Sequence, residues 1–109
     1  VAPVTSWRYY DSVYTEVYNG LPQQNAAGYD DNSPINFAEG LSPRTSLLII
    51  HGTGDDNVHF QNTVEMVRAL NRAGKQFDLA IYPDDNHSII LSGRIHVRER
   101  MVRYTLENL

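Results

Sequence analysis

The sequence predicts an α/β fold in which parallel strands alternate with helices, and three observations carry that reading. Leu47-Leu48-Ile49-Ile50 is an unbroken apolar run, the pattern of a short strand covered on both faces. Phe77 to Tyr82 is a second strand-like run, closed by Pro83. Between them Phe60, Val64, Val67 and Leu70 fall on one helical stripe, stopped by Gly74. Two strands joined through a helix pair in parallel, since a crossover brings the chain back to the end of the sheet where it began.

The remaining elements follow in order. Val1 to Thr5 reads as the end of a strand. Ser6 to about Asn19 reads as a helix, with Trp7, Tyr10, Tyr14 and Val17 recurring on one face and Gly20 and Pro22 closing it. Gln23 to Asn32 is a polar loop. Ser33-Pro34 resembles an N-cap followed by a first-turn proline, opening a short helix that ends at Gly40. Ser42-Pro43 breaks the chain again before the first strong strand, and Gly52 to Asn57 turns out of that strand. Pro83 to Ser88 is a polar loop, and Gly93 to Leu109 is amphipathic through Ile95, Val102, Leu106 and Leu109. The predicted order is strand, helix, strand, helix, strand, helix. Three strands close a core poorly, and the chain opens without methionine inside a strand. Further strands are therefore expected before Val1.

Composition bounds the function. The chain has 109 residues, a formal net charge of -4, 41% hydrophobic and 20% charged residues, which is globular rather than disordered. Mild acidity without a Lys or Arg block argues against a nucleic-acid partner. There is no cysteine, so disulfides and thiolate metal sites are excluded. No apolar run is long enough to cross a membrane as a helix, and Val1-Ala2-Pro3-Val4 lacks the features of a signal peptide.

In an open α/β sheet, functional groups collect in the loops after the carboxyl ends of strands. Two such loops carry chemistry here: His51-Gly52-Thr53-Gly54-Asp55-Asp56-Asn57 and Asp84-Asp85-Asn86-His87. A carboxylate that accepts the Nδ1–H of a histidine fixes its tautomer and stabilises the imidazolium formed in catalysis. Asp55 followed by His87 matches the second and third members of the Ser, Asp, His order of α/β-hydrolases. The first member is not found, since none of Ser6, Ser12, Ser33, Ser42 and Ser46 lies in a G-x-S-x-G elbow. Against this stands the plainer possibility that the Asp and Asn residues only cap a turn and that His87 is a surface residue. A metal site drawn from His51, Asp55, Asp56, His59, Asp84 and His87 fits no established spacing, and Gly52-Thr53-Gly54 fits no phosphate-binding loop. Trp7, Tyr9, Tyr10, Tyr14 and Tyr18 form an aromatic cluster that suits either packing on the sheet or the wall of a pocket.

The run from Val1 through Trp7, Tyr10 and Tyr14 to Glu16 resembles the segment that follows the nucleophile in the dipeptidyl peptidase IV family of prolyl oligopeptidase-type serine peptidases. The run from Ile50 to Gln61 resembles the same family, and His87 falls where that family has its catalytic histidine. The likeness covers essentially the whole chain and implies the C-terminal portion of an α/β-hydrolase catalytic domain. It implies that Asp55 and His87 are the triad acid and base. It further implies that Tyr10, Tyr14, Trp7, Val4 and Val58 belong to an S1 pocket for proline or alanine, and that Asn57 helps hold a substrate carbonyl. Gly54 stands where alanine is usual, and Ser88 where many relatives have glycine.

By this resemblance the intact protein removes Xaa-Pro or Xaa-Ala dipeptides from peptide N-termini, needs no cofactor or metal, and draws its serine from an upstream part of the same domain. A β-propeller, a homodimer and a periplasmic, cell-surface or secreted location are implied in the same way. The 109 residues alone are then expected to be inactive. The rival expectation is a non-catalytic interaction module that has lost the nucleophile, against which the retention of both Asp55 and His87 weighs.

Overall fold

A computed structural model describes residues 1–109. At its centre two strands, β1 (Leu48–Gly52) and β2 (Asp78–Tyr82), run parallel in the register Leu48 to Asp78 through Gly52 to Tyr82. Helix α3 (Gln61–Arg72) connects them, and α4 (Arg94–Glu107) follows β2. Ahead of the sheet come a 3-10 turn at Trp7–Tyr9, α1 (Ser12–Asn19), α2 (Ala26–Asp31) and a 3-10 helix at Pro34–Gly40.

The apolar run works as its composition requires. Alternate side chains of a strand point to opposite faces, so Ile50 and Ile49 enter different clusters. Ile50 packs with Tyr82, Ile89 and Val97 of α4, with Leu48 and Ala80 at the margin. Ile49 packs with Ala38 and Leu70, bordered by Leu41, Leu47, Met66, Val67 and Phe77. Both faces of β1 are therefore covered, which is why its first three residues are all apolar. Burying each such isoleucine stabilises the fold by about 1.5–3 kcal/mol.

Several expectations change in three dimensions. Val1 to Thr5 is not a strand. It runs beside β1 through one backbone bond, Ala2 N–H to the Ile50 carbonyl at 2.7 Å, and Ala2 adopts φ +44°, which prevents a ladder. The order therefore contains two strands rather than three. The single helix expected from Ser6 to Asn19 is divided, because Ser6 and Asp11 each act as a cap. Asp11 is extended, and its carboxylate accepts the Tyr14 N–H at 2.8 Å, starting α1 there. The polar loop expected at Gln23 to Asn32 contains α2, started by the Asn25 side chain accepting from Gly28 N. Ser33 does not cap the helix after it; its hydroxyl donates to the Tyr29 carbonyl at 2.6 Å and accepts from Trp7 N at 3.0 Å.

The two later helices are rotated from their expected faces. In α3 the buried side is Asn62, Thr63 and Leu70 with Met66 and Val67, and Val64 is exposed. In α4 only Val97 is buried; Ile95, Val102 and Leu106 face outward, and Leu109 lies exposed beyond the helix. No helix is long and apolar enough to cross a membrane.

Candidate active site

Both functional loops leave the carboxyl ends of adjacent parallel strands, and backbone bonds fasten one to the other. Thr53 N donates to the Tyr82 carbonyl and Gly54 N to the Asp85 carbonyl, each at 3.0 Å. The Thr53 hydroxyl accepts from Asp84 N at 2.9 Å. The loops approach so closely that a Cβ on Gly52 would lie 2.2 Å from the Asp85 carbonyl oxygen. Glycine is required there for room rather than for an unusual φ.

The second loop is held from beneath by Asp85, which is fully buried. Its carboxylate accepts from Leu91 N at 2.7 Å and Gly93 N at 2.8 Å, at the start of α4. Those charge-assisted bonds, with the positive end of the helix, compensate a carboxylate removed from water. Asp84 and Ile89 flank His87 at φ +60° and +48°, so the loop bearing the imidazole is wound tightly at both ends.

Asp55 and His87 meet as expected. His87 Nδ1 lies 2.8 Å from Asp55 Oδ2. A carboxylate at this position accepts, so Nδ1 carries the hydrogen and Nε2 presents its lone pair outward, on a side chain 42% exposed. The other oxygen, Oδ1, accepts from Asn57 N and Val58 N at 2.9 Å each. Burial pushes the Asp55 carboxyl up, but the bonds from His87, Asn57 N and Val58 N together outweigh it and hold it below the ordinary carboxylate value. The result is a fixed anion behind an imidazole with one free nitrogen, an arrangement suited to accepting and returning a proton.

Trp7, Tyr10 and Tyr14 also come together. Trp7 and Tyr14 stack with centroids 6.3 Å apart, and Tyr10 meets them edge-on at 6.2 and 5.5 Å. The Tyr10 hydroxyl donates to Asn57 Oδ1 at 3.0 Å, linking this wall to the Asp55 loop. Asn62, at the start of α3, holds the segment in place: its side-chain oxygen accepts from Thr5 N at 3.0 Å, and its amide donates to the Tyr9 and His59 carbonyls. On the far side, Arg8 makes a two-pronged pair with Asp30 at 2.9 and 3.0 Å. Tyr14 remains 48% exposed, and none of the main cavities is lined by these three rings. Within the chain they form a wall rather than a closed slot. Val58 is buried, with its backbone N–H spent on Asp55; Val4 is partly buried near the start of the segment.

Two residues of the site were not assigned these roles by the sequence. His51 appears there only as a conceivable metal ligand, yet it is fully buried behind Asp55. Asp85 reads as one more loop acid but supports the His87 loop from inside. The available signals were a histidine ending an otherwise apolar strand and an acid placed shortly before a helix. No three His, Asp or Glu side chains are disposed to hold an ion. His51 and His87 turn ring nitrogens to one carboxylate oxygen instead.

A parallel α/β layer with a carboxylate–imidazole pair at the strand ends defines an α/β-hydrolase-type protein. The profile of the prolyl oligopeptidase family matches residues 1–109, and the chain belongs to that family. It is 47% identical over 109 residues to a protein of Pyrenophora teres f. teres named probable dipeptidyl-aminopeptidase B, covering 99% of this chain and 12% of that one. A protein of the same name from Trichophyton verrucosum is 53% identical over 90 residues, or 82% of this chain and 10% of its own length. Among solved structures, dipeptidyl peptidase 4 of Porphyromonas gingivalis superposes with a TM-score of 0.94 at 46% identity, over 99% of this chain and 15% of that one. The fold is thus the C-terminal portion of an α/β-hydrolase, and the chain spans about an eighth of the length of the relatives it matches.

Proposed function

We propose that this chain supplies the acid, the base and part of the specificity wall of a serine exopeptidase that releases Xaa-Pro and Xaa-Ala dipeptides from peptide N-termini. The observation that carries this reading is the Asp55–His87 pair, 2.8 Å apart and joined through Asn57 to the aromatic wall. His87 Nε2 takes the proton of a serine hydroxyl supplied by the rest of the domain as the oxygen attacks the scissile carbonyl carbon. It returns that proton to the leaving amine, and water repeats the cycle on the acyl-enzyme. Asp55 orients the ring and offsets the imidazolium charge. Tyr10, Tyr14 and Trp7, with Val4 and Val58, line one side of the S1 site, where a compact proline ring or a methyl group fits and a long side chain does not. Asn57 orients the substrate carbonyl.

The names of the relatives, dipeptidyl-aminopeptidase B and dipeptidyl peptidase 4, support the same reading. It also includes an upstream serine and β-propeller, a homodimer, no cofactor, and action outside the cytoplasm or at the cell surface. The 109 residues contain no G-x-S-x-G elbow and are inactive alone in this proposal. The test is hydrolysis of a Gly-Pro chromogenic amide by the purified intact protein. Turnover is expected, with Asp55→Asn lowering kcat about 10⁴-fold. Absence of turnover, or activity that survives His87→Ala, overturns the proposal, and a protein that merely binds peptides is then the better account.

A further inference from the structure

We infer that His51 is a positioning residue for the reaction, acting through Asp55. This rests on the peptidase reading above. His51 is the penultimate residue of β1, has no exposed surface, and packs its ring edge-on against Phe60 at 5.5 Å between centroids. Its Nε2 lies 2.8 Å from the Val58 carbonyl oxygen and 3.1 Å from Asp55 Oδ2. A carbonyl oxygen only accepts, so Nε2 carries a hydrogen shared between these two oxygens. Nδ1 then accepts from the Thr63 hydroxyl at 2.7 Å, and Thr63 on α3 is itself buried. The Val58 carbonyl therefore selects the tautomer of His51, as Asp55 selects that of His87, and Thr63 holds the ring from the other side.

The consequence concerns a single atom. Asp55 Oδ2 accepts from two imidazoles, one rigid and buried, the other at the surface. With Oδ1 occupied by Asn57 N and Val58 N, the carboxylate has a donor on every side and one available orientation. His51 thus does two things for His87. It prevents rotation of the carboxylate that would lengthen the 2.8 Å bond. It also draws off part of the negative charge that Asp55 offers the imidazolium, keeping His87 a ready proton donor to the leaving amine. A histidine that merely filled the core would need partners for its two ring nitrogens, which Thr63 and the Val58 carbonyl supply, but not the approach to Oδ2. The other titratable groups on the two loops are Asp56, His59, Asp84 and Asp85, with the Asp85 carboxylate turned to Leu91 N and Gly93 N. Helix α3 adds Arg72 and the Glu65–Arg68 pair, and the Tyr10 hydroxyl is spent on Asn57.

The experiment uses the intact enzyme and two readouts over pH: kcat/KM on the Gly-Pro amide, and the rate of serine labelling by a fluorophosphonate, which needs the base but no dipeptide specificity. His51→Phe keeps a ring and removes the donor. Asp55, one donor short, then holds the imidazolium of His87 more tightly. The acid limb of both profiles moves up by about one pH unit, the scale of one charge-assisted hydrogen bond. At neutral pH both rates fall roughly ten-fold. His51→Gln, whose amide reaches the former Nε2 position, restores the limb and most of the rate. Thr63→Val, which removes the hydroxyl that holds the ring at Nδ1 without touching the histidine, moves the limb in the same direction by less.

An unmoved limb in His51→Phe, or a His51→Gln no better than His51→Phe at equal melting temperature, overturns the inference. If His51→Phe does not fold, a wild-type profile in Thr63→Val overturns it instead. Unaltered profiles in an active enzyme sink the role of His51 alone. A wild-type protein that is neither labelled nor active sinks the peptidase reading and this one with it.

Discussion

A single methyl group at position 52 tests whether the contact between the two loops sets the catalytic geometry. In Gly52→Ala the new Cβ would lie 2.2 Å from the Asp85 carbonyl oxygen, 2.8 Å from its carbonyl carbon and 2.9 Å from the Asn86 carbonyl oxygen. All three are backbone atoms, so no side chain can swing aside. Restoring even a tight contact of about 3.2 Å requires the Asp85–Asn86 backbone to retreat by about 1 Å. His87 is the next residue, and that displacement lengthens its bond to Asp55. Gly54 N to the Asp85 carbonyl, now 3.0 Å, lengthens as well. A misplacement of about 1 Å costs roughly 10²-fold in rate, and overpacking costs about 1–3 kcal/mol of stability.

The assay is kcat/KM on the Gly-Pro amide together with urea unfolding, both on the intact enzyme. Gly54→Ala is the internal control, because its Cβ would meet the Asp84 carbonyl oxygen at 2.9 Å and needs only a few tenths of an ångström. It should lose a few-fold at most. A Gly52→Ala enzyme with wild-type kcat/KM, or a Gly54→Ala enzyme more damaged than it, refutes the reasoning.

Three further outcomes follow from the same geometry. The Asp55 carboxyl is held below its ordinary value of 3.8, so its contribution to stability is present above that pH and is lost as the pH falls beneath it. Urea unfolding between pH 5 and about 2 should show a falling stability, by at most about 1.4 kcal/mol per pH unit from this group, and Asp55→Asn should remove that component. Leu70→Ala, in the fully buried cluster with Ile49 and Ala38, should cost about 2–5 kcal/mol of unfolding free energy. Asp85→Ala strips the buried acceptors from Leu91 N and Gly93 N and should destabilise by about 3 kcal/mol. Hydrogen exchange at those two amides should rise with it, and unchanged protection would count against Asp85 as the support of the His87 loop.

The sequence by itself determined the α/β class, the two parallel strands and the loops that carry Asp55 and His87. It could do so because those features are local or follow from order. A strand covered on both faces reads as a nearly continuous apolar run, and a crossover helix lies between parallel strands. The aromatic cluster was legible too, although Tyr10 lies between two short helical pieces rather than within one helix.

Other features depended on which surfaces meet. Periodicity placed Val64 and Ile95 on apolar stripes, but the faces that pack belong to Thr63, Met66 and Val97, because the direction from which the sheet approaches is not written in the helix. Val1 to Thr5 has the composition of a strand and lacks the ladder, since pairing needs a partner in register and a backbone free of the left-handed turn at Ala2. The junction of the two loops at Gly52, and the place of His51 behind Asp55, join residues from different strands and helices. Only the tertiary structure decides such contacts, because a hydrogen bond or a steric clash is fixed by distance in space. That same structure gives Asp55 its second imidazole and therefore its orientation toward His87.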